Sequence, residues 1–304
     1  MNLIEQPKLN DVLQKTITFF KEKKLDSPRL DAELIFSHVL GIERIQLYAQ
    51  FNKPLGDAEL EKCREAVRRR AKGEPVAYIV GHKWFYQSQF LVDANVLIPR
   101  PETEMIVEEV LKFVEKNKIE SPRILDLGAG TGCIGFSIVT ELKKKNVDSS
   151  VVSVEKSEGA FGILQKNKEH LGLGESTADP GATKGSGVQL IKSDVMTLSL
   201  KEFGEFDIIV ANPPYIDLKD PEVASDVKAF EPHQALYAEQ SGFQDIFNWS
   251  QHLFPSLKPG GLMIFEMGYT QGTKSLEHFQ KLGFKNALVL KDLSDRDRFV
   301  VGYK

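Results

Sequence analysis

The sequence predicts an α/β protein: an open, largely parallel sheet with helices on both faces, preceded by a small helical bundle and joined to it by a β-hairpin. Three observations carry this. Residues 1–80 place apolar side chains at helical spacing. Residues 81–101 turn aromatic and β-branched. From Arg123 onward, short apolar runs alternate with amphipathic segments, the order of an α/β sheet.

In the first part, Leu9, Val12, Leu13, Ile17 and Phe20 form one helical stripe. Ser27-Pro28 reads as an N-cap with proline at the first helical position, and Leu30, Leu34, Ile35 and Val39 follow before Gly41 ends the helix. Asp57 is expected to cap a further helix through Leu60, Cys63, Ala66 and Val67, ending at Gly73-Glu74-Pro75. Such stripes are core-forming and name a small bundle. Trp84, Phe85, Tyr86, Phe90, Val92, Val96, Leu97 and Ile98 then predict the hairpin, with Asp93-Ala94-Asn95 as its turn. Residues 102–304 supply the sheet. Its strands are expected at Ile124–Leu127, Val151–Glu155, Val188–Ile191, Phe206–Val210 and Leu262–Glu266, with Asn286–Leu290 paired to Phe299–Gly302. The charged turn Asp292–Arg298 lets the last strand run antiparallel. Amphipathic Phe161–Leu171 and Gln271–Leu282 read as helices. Residues 172–187, rich in glycine and small polar side chains, read as a flexible surface insertion.

The 304 residues carry a net charge of −4, which gives no global basic field to recruit nucleic acid. Arg68-Arg69-Arg70-Ala71-Lys72, the compact basic run, reads as a solvated helix end whose cations suit the helix dipole. The two cysteines, Cys63 and Cys133, form no CxxC pair, and the six histidines show no ligand spacing, so neither a disulfide framework nor a metal site is expected. The N-terminal stretch carries Glu5 and Asp11 and no long apolar run, and no segment reaches the roughly 20 apolar residues of a membrane span. A soluble, cytoplasmic protein is expected.

Asp126-Leu127-Gly128-Ala129-Gly130-Thr131-Gly132 lies where the first strand of the sheet turns into a helix. Glycines there let the backbone approach a ligand closely, and the helix start presents free N–H groups. A nucleotide-like cofactor is therefore expected. Gly130-Thr131-Gly132-Cys133-Ile134-Gly135 also fits a dinucleotide fingerprint, and Glu155 falls at the spacing of a ribose-binding acid for either cofactor class. The acids Asp126, Glu155 and Asp194 at three successive strand ends favour S-adenosylmethionine. That cofactor carries an ammonium group and a ribose but no pyrophosphate.

Asn212-Pro213-Pro214-Tyr215 follows the strand Phe206–Val210. An Asn side-chain oxygen and a proline carbonyl can accept the two hydrogens of a planar NH2 group, while two prolines stiffen the loop and donate nothing. The Tyr215 ring offers a flat face to an amide or a base. Chemistry on an amide or exocyclic amine nitrogen is the reading these residues support.

With these motifs the chain resembles the HemK/PrmC family of protein-(glutamine-N5) methyltransferases. The likeness is carried by Arg29-Leu30-Asp31-Ala32-Glu33, Tyr78-Ile79 with Gly81, and Leu97-Ile98-Pro99-Arg100-Pro101-Glu102-Thr103-Glu104. The Asp126 loop, Asn212-Pro213-Pro214-Tyr215-Ile216, Glu231-Pro232 and Pro259-Gly260-Gly261 complete it. The resemblance implies a class I S-adenosylmethionine-dependent methyltransferase fold. Its protein substrate would be a peptide chain release factor, modified at the glutamine of Gly-Gly-Gln, with residues 1–80 recognising it. It further implies that Gly128, Ala129, Gly130, Thr131 and Gly132 cradle the methionine part of the cofactor, Glu155 its ribose, and Asp194 and Val195 its adenine, with Asn212 bordering both ligands. Asn212, Pro213, Pro214 and Tyr215 would hold the glutamine amide. Ala129 stands where Thr or Ser is more usual, Glu155 where Asp is commoner, and the 172–187 insertion is extra. No catalytic histidine is implied, His233 being expected at the pocket edge. Arg100, Glu102, Thr103 and Glu266 either touch ligand or fasten the fold.

The Asn-Pro-Pro-Tyr tetrad is shared with adenine-N6 nucleic-acid methyltransferases, which would need a basic track or stacking platform. An NAD(P)-dependent oxidoreductase rests only on the fingerprint overlap. A non-catalytic adaptor leaves tetrad and glycine loop unexplained together.

Overall fold

Glycine and proline punctuation sets the element boundaries of both parts of the chain. A computed structural model describes residues 6–175, 187–199, 203–217 and 225–304. Residues 176–186 of the expected insertion lie outside the described residues. Two compact units result: Met1–His82 with Ser225–Phe230, and Lys83–Ala224 with Glu231–Lys304.

The first unit contains α1 (Leu9–Glu22), α2 (Pro28–Leu40), α3 (Arg44–Ala49), α4 (Asp57–Ala71) and α5 (Val76–Val80). Leu9, Leu13, Ile17 and Phe20 of α1 meet Ala32, Ile35 and Phe36 of α2 and Leu60 and Cys63 of α4 in one core. Gly41 ends α2 in the left-handed conformation, at φ 64°. Helix α4 begins one residue earlier than its sequence suggests. Gly56 is the N-cap, Asp57 lies in the first turn, and Glu59 accepts from the Gly56 N–H at 3.0 Å.

The central helix α2, packed on α1, α3, α4 and α5, buries two acids that are both answered. Asp31 pairs with Arg70 at 2.7 Å, and Glu33 with Arg44 at 3.1 Å and with the Tyr48 hydroxyl. The Arg68–Arg70 run is thus not uniformly solvated. Arg68 is exposed and bridges to Glu61 and Glu65, whereas Arg70 is nearly buried and ties α4 to α2. Helical periodicity places Arg70 on the inner face, which composition alone cannot reveal.

The hairpin, which from Lys83 onward belongs to the second unit, is formed by β1 (His82–Phe85) and β2 (Ser88–Leu91). Its turn falls at Tyr86-Gln87 instead of Asp93–Asn95. Tyr86 takes a left-handed φ of 54°, and its N–H donates to Glu104 at 2.9 Å. Asp93 closes a separate turn by accepting from the Asn95 N–H at 2.9 Å.

The main sheet comprises β3 (Arg123–Leu127), β4 (Ser150–Glu155), β5 (Gly187–Lys192), β6 (Phe206–Ala211), β9 (Leu257–Glu266), β10 (Asn286–Lys291) and β11 (Asp297–Tyr303), in the order β10-β11-β9-β6-β3-β4-β5. The short β7 (Ile216–Asp217) and β8 (Tyr237–Ala238) pair separately. All main strands are parallel except β11, antiparallel to both neighbours.

Period-two alternation, with both faces of the sheet covered, explains why apolar residues dominate the central strands. Ile208 and Val210 of β6, with Leu262 and Ile264 of β9, face one core with α6 (Glu104–Asn117) and α7 (Cys133–Lys144). Ile209, Ala211, Met263 and Phe265 face a second core, with the helices Gln244–Leu253 and Gly272–Leu282. Helix α8 (Glu158–His170) adds Leu164 to the first core. The order reverses at β3, so a cleft opens beyond the C-terminal ends of β3, β4, β5 and β6. No helix among the described residues is long and apolar enough to cross a membrane.

Candidate active site

At the end of β3 the chain must leave the sheet and enter α7 within a few residues. It does so through Gly128, Gly130 and Gly132, at φ 60°, 55° and 81°. These glycines are not equivalent. A Cβ on Gly132 would lie 2.5 Å from the Phe136 ring, and one on Gly128 3.1 Å from Trp249. On Gly130 it would meet only the Gly128 carbonyl, at 3.9 Å. Gly132 and Gly128 are therefore packing requirements, while Gly130 borders open space.

Glu155, at the end of β4, fixes this loop from the neighbouring strand. One carboxylate oxygen accepts from the Gly130 N–H at 2.9 Å, the other from the Ser157 N–H at 2.8 Å. Asn167, fully buried in α8, donates to the Thr131 carbonyl at 3.0 Å and exchanges two hydrogen bonds with Leu91 of β2. One amide thus holds hairpin, helix and glycine loop together. A polar residue in an amphipathic helix gives no sequence signal for such a role.

Asp126 behaves differently from the rim acid its strand-end position suggests. It is 1% exposed, lies outside the cleft lining, and accepts from the Gly135 N–H at 3.1 Å. Its other oxygen is buried without a hydrogen-bond partner. Burial pushes its carboxyl up to about 7, the Gly135 bond opposing this and the Glu155 charge adding to it. Such an acid holds its proton more in the folded than in the unfolded chain, so stability declines as pH rises from about 4 through about 7 and the loss is complete above. Asp126→Asn keeps an acceptor for Gly135 and removes the titration. The slope of urea midpoint against pH should become shallower in this variant, with burial-raised Glu266 and Asp245 supplying what remains. An unchanged slope would contradict the assignment.

Asp194 follows β5 and caps the short turn Val195–Thr197, accepting from the Met196 N–H at 2.9 Å. It also pairs with Lys156 at 2.8 Å, which holds its carboxyl below the usual range. It is both a cap and part of the cleft wall.

The cleft has a volume of about 540 Å³. Its walls include Gly128, Ala129, Gly130, Thr131, Glu155, Asp194, Val195, Asn212 and Pro214, so the expected cofactor loop and part of the tetrad meet in one space. Gly132, Pro213 and Tyr215 stand outside the lining, as does His233, whose ring packs on Tyr237 of the wall. Trp249, Asp245 and Gln244 line it without having been legible as site residues.

Behind the tetrad lies a buried polar chain. Glu266, at the end of β9 and 1% exposed, accepts from the Thr103 hydroxyl at 2.6 Å and from the Tyr215 hydroxyl at 3.0 Å. Thr103 in turn receives the Asn212 side-chain NH2 at 3.3 Å. Burial raises the Glu266 carboxyl, and the bonds from Thr103 and Tyr215 act against this. Burial likewise raises the Tyr215 phenol, keeping it protonated as a donor. Arg100 and Thr103 also line the cleft, so the ligand-contact reading stays open for both, and Arg100 fastens as well. It pairs at 2.6 Å with Glu231, which also accepts from the Ile98 N–H at 3.2 Å, pinning the Pro-Arg-Pro stretch to Glu231-Pro232.

Similarity to known proteins decides the family. Residues 11–81 match the PrmC N-terminal domain, and residues 87–255 match the family described as conserved hypothetical protein 95. A release factor glutamine methyltransferase from Chlorobaculum tepidum is 35% identical over 95% of this chain and 94% of its own length. One from Leptospira interrogans is 36% identical over 95% and 96%. One from Geobacter sulfurreducens is 34% identical over 99% of both.

The chain belongs to the release factor glutamine methyltransferase family. Among solved structures it is similar to a methyltransferase from Pyrococcus furiosus, at 18% identity and TM-score 0.41 over 65% of this chain and 82% of that one. Membership fits the seven-stranded sheet, with β11 its one antiparallel strand, and the helical first unit. Among the described residues, no group of three His, Cys, Asp or Glu is placed to hold a metal ion.

Proposed function

We propose that the protein transfers a methyl group from S-adenosylmethionine to the side-chain amide nitrogen of the glutamine in the Gly-Gly-Gln motif of peptide chain release factors. One observation carries the residue assignment: Asn212 and Pro214 share a cleft wall with the glycine loop Gly128–Thr131, so an amide held by the tetrad lies beside a cofactor held by the loop.

The cleft's chemistry suits that cofactor. Gly130 leaves open space above the loop, and Glu155 and Asp194 present carboxylates at two adjacent strand ends. Gly128, Ala129, Gly130 and Thr131 would hold its methionine part, with Gly132 shaping the loop from behind. Glu155 would take the ribose, and Asp194 with Val195 the adenine. When bound, S-adenosylmethionine supplies an electrophilic methyl group.

The chain does the rest. An amide nitrogen is a poor nucleophile because its lone pair is delocalised. The Asn212 side-chain oxygen and the Pro213 carbonyl would accept its two hydrogens, aim the nitrogen and raise its electron density. The stiff proline pair keeps those acceptors in place. Tyr215, anchored through Glu266, braces the loop from outside the cleft lining. No strong base is required, because the alkylated nitrogen becomes acidic and loses its proton late.

Residues 1–80 would recognise the release factor, 81–101 link, and 102–304 catalyse. Since a Gly-Gly-Gln loop offers the cleft little beyond an amide, selectivity for one protein calls for such a remote surface. The reaction belongs to the cytoplasm, where termination occurs. A labelled-methyl assay with a purified release factor, duplex DNA and RNA as parallel acceptors tests this reading. Label is expected in the release factor alone, and label in nucleic acid would replace it with the adenine-N6 reading.

A further inference from the structure

Asn212 can act as an acceptor only if its side-chain oxygen, and not its NH2, faces the substrate. The two ends of a carboxamide have nearly the same shape, so packing does not choose between them. The choice must come from hydrogen-bond partners.

Those partners form one chain with a defined direction. Glu266 accepts from two hydroxyls, Thr103 at 2.6 Å on one oxygen and Tyr215 at 3.0 Å on the other, the arrangement of an ionised carboxylate that only accepts, whose charge these bonds and Arg298 favour against burial. Threonine has a single hydroxyl hydrogen. Once it is given to Glu266, the Thr103 oxygen can only accept, so the atom of Asn212 turned toward it must be nitrogen, as found at 3.3 Å. The Asn212 oxygen is thereby left for the substrate.

Every link is sheltered. Thr103, although it borders the cleft, is 2% exposed and Glu266 1%, so water competes little for these bonds. Charged groups bearing on the carboxylate come from separate elements: Arg298 on β11 favours its charge, and Glu102 beside Thr103 opposes it. Arg298 is itself held by Asp292 at 3.1 Å. The chain draws on three distant sequence segments: the turn Pro101–Thr103, the end of β9 and the loop after β6.

We propose that Thr103 and Glu266 are positioning residues that set the polarity of the Asn212 amide for the incoming glutamine. This rests on the reading of Asn212 as the amide acceptor. Thr103→Val keeps the shape and removes the hydroxyl, so both amide orientations become available. Glu266→Gln places an NH2 group in the chain, which can reverse the direction of the Thr103 hydrogen bond and with it the amide.

A double-mutant cycle separates positioning from mere packing. Turnover on a release factor is measured for wild type, Thr103→Val, Asn212→Ala and the double variant, each normalised to S-adenosylmethionine-binding sites titrated by calorimetry. Thr103→Val alone should lower kcat roughly ten- to a hundredfold, as for a misoriented reactant, with KM for the cofactor unchanged. In the Asn212→Ala background the same change should cost less than about twofold, because the residue it acts through is gone. Thr103→Ser should restore most of the activity.

Equal losses in both backgrounds, or a Thr103→Val enzyme within about twofold of wild type, would overturn the proposal. If Thr103→Val gives too little folded protein, Glu266→Gln enters the same cycle with the same expectation. Failure of the wild-type enzyme to methylate the release factor would refute the function and not the hydrogen-bond chain, so the two outcomes are distinguishable.

Discussion

Asn212→Ala is expected to reduce turnover on a release factor by roughly a hundredfold or more, the usual consequence of losing one preorganised polar contact to a reacting group. The side chain stands at the C-terminal end of β6, where the parallel sheet delivers it to the cleft wall. Removing it leaves the glycine loop, Glu155 and Asp194 in place, so affinity for S-adenosylmethionine should change little. Steady-state kinetics together with cofactor calorimetry check both halves. Near-normal turnover would remove Asn212 from the mechanism.

Gly130→Val should abolish cofactor binding in a protein that still folds. A Cβ there meets no packed side chain, yet it occupies the space the loop leaves open, and the φ of 55° strains a β-branched residue. Gly132→Val is the informative contrast. Its side chain would be driven into Phe136 and Leu164, at 2.5 and 2.8 Å from the new Cβ, so that variant should lose stability first. Calorimetry with S-adenosylmethionine and near-ultraviolet circular dichroism distinguish the two. Micromolar binding retained by Gly130→Val would place the cofactor away from this loop.

What the sequence made legible was local. Strands such as Phe206–Ala211 and Leu262–Glu266 are continuous apolar runs because both faces of the sheet are covered, and their alternate residues divide cleanly between two cores. The glycine loop and the Asn-Pro-Pro-Tyr loop were readable because their chemistry depends on unusual residue types at short spacing. Where the roles are set by distant partners, sequence was silent. Thr103 and Glu266 are 163 positions apart, and neither spacing nor periodicity could show that they join behind Asn212. The same holds for Asn167, which ties β2 to the Thr131 carbonyl, and for Arg70, whose partner Asp31 lies on another helix. Asp126 shows the converse. Its strand-end position suggested a ligand contact, but one-residue differences in register decide whether a strand-end side chain enters the cleft or turns beneath the loop.

The central claim is that this cleft methylates the amide nitrogen of a single glutamine. The most direct measurement is peptide mapping by mass spectrometry of a release factor incubated with the protein and S-adenosylmethionine. The expected result is the mass of one added methyl group, confined to the Gly-Gly-Gln peptide and fragmenting as a side-chain N-methyl glutamine. A methyl group on any other residue, or none in the presence of bound cofactor, would contradict it.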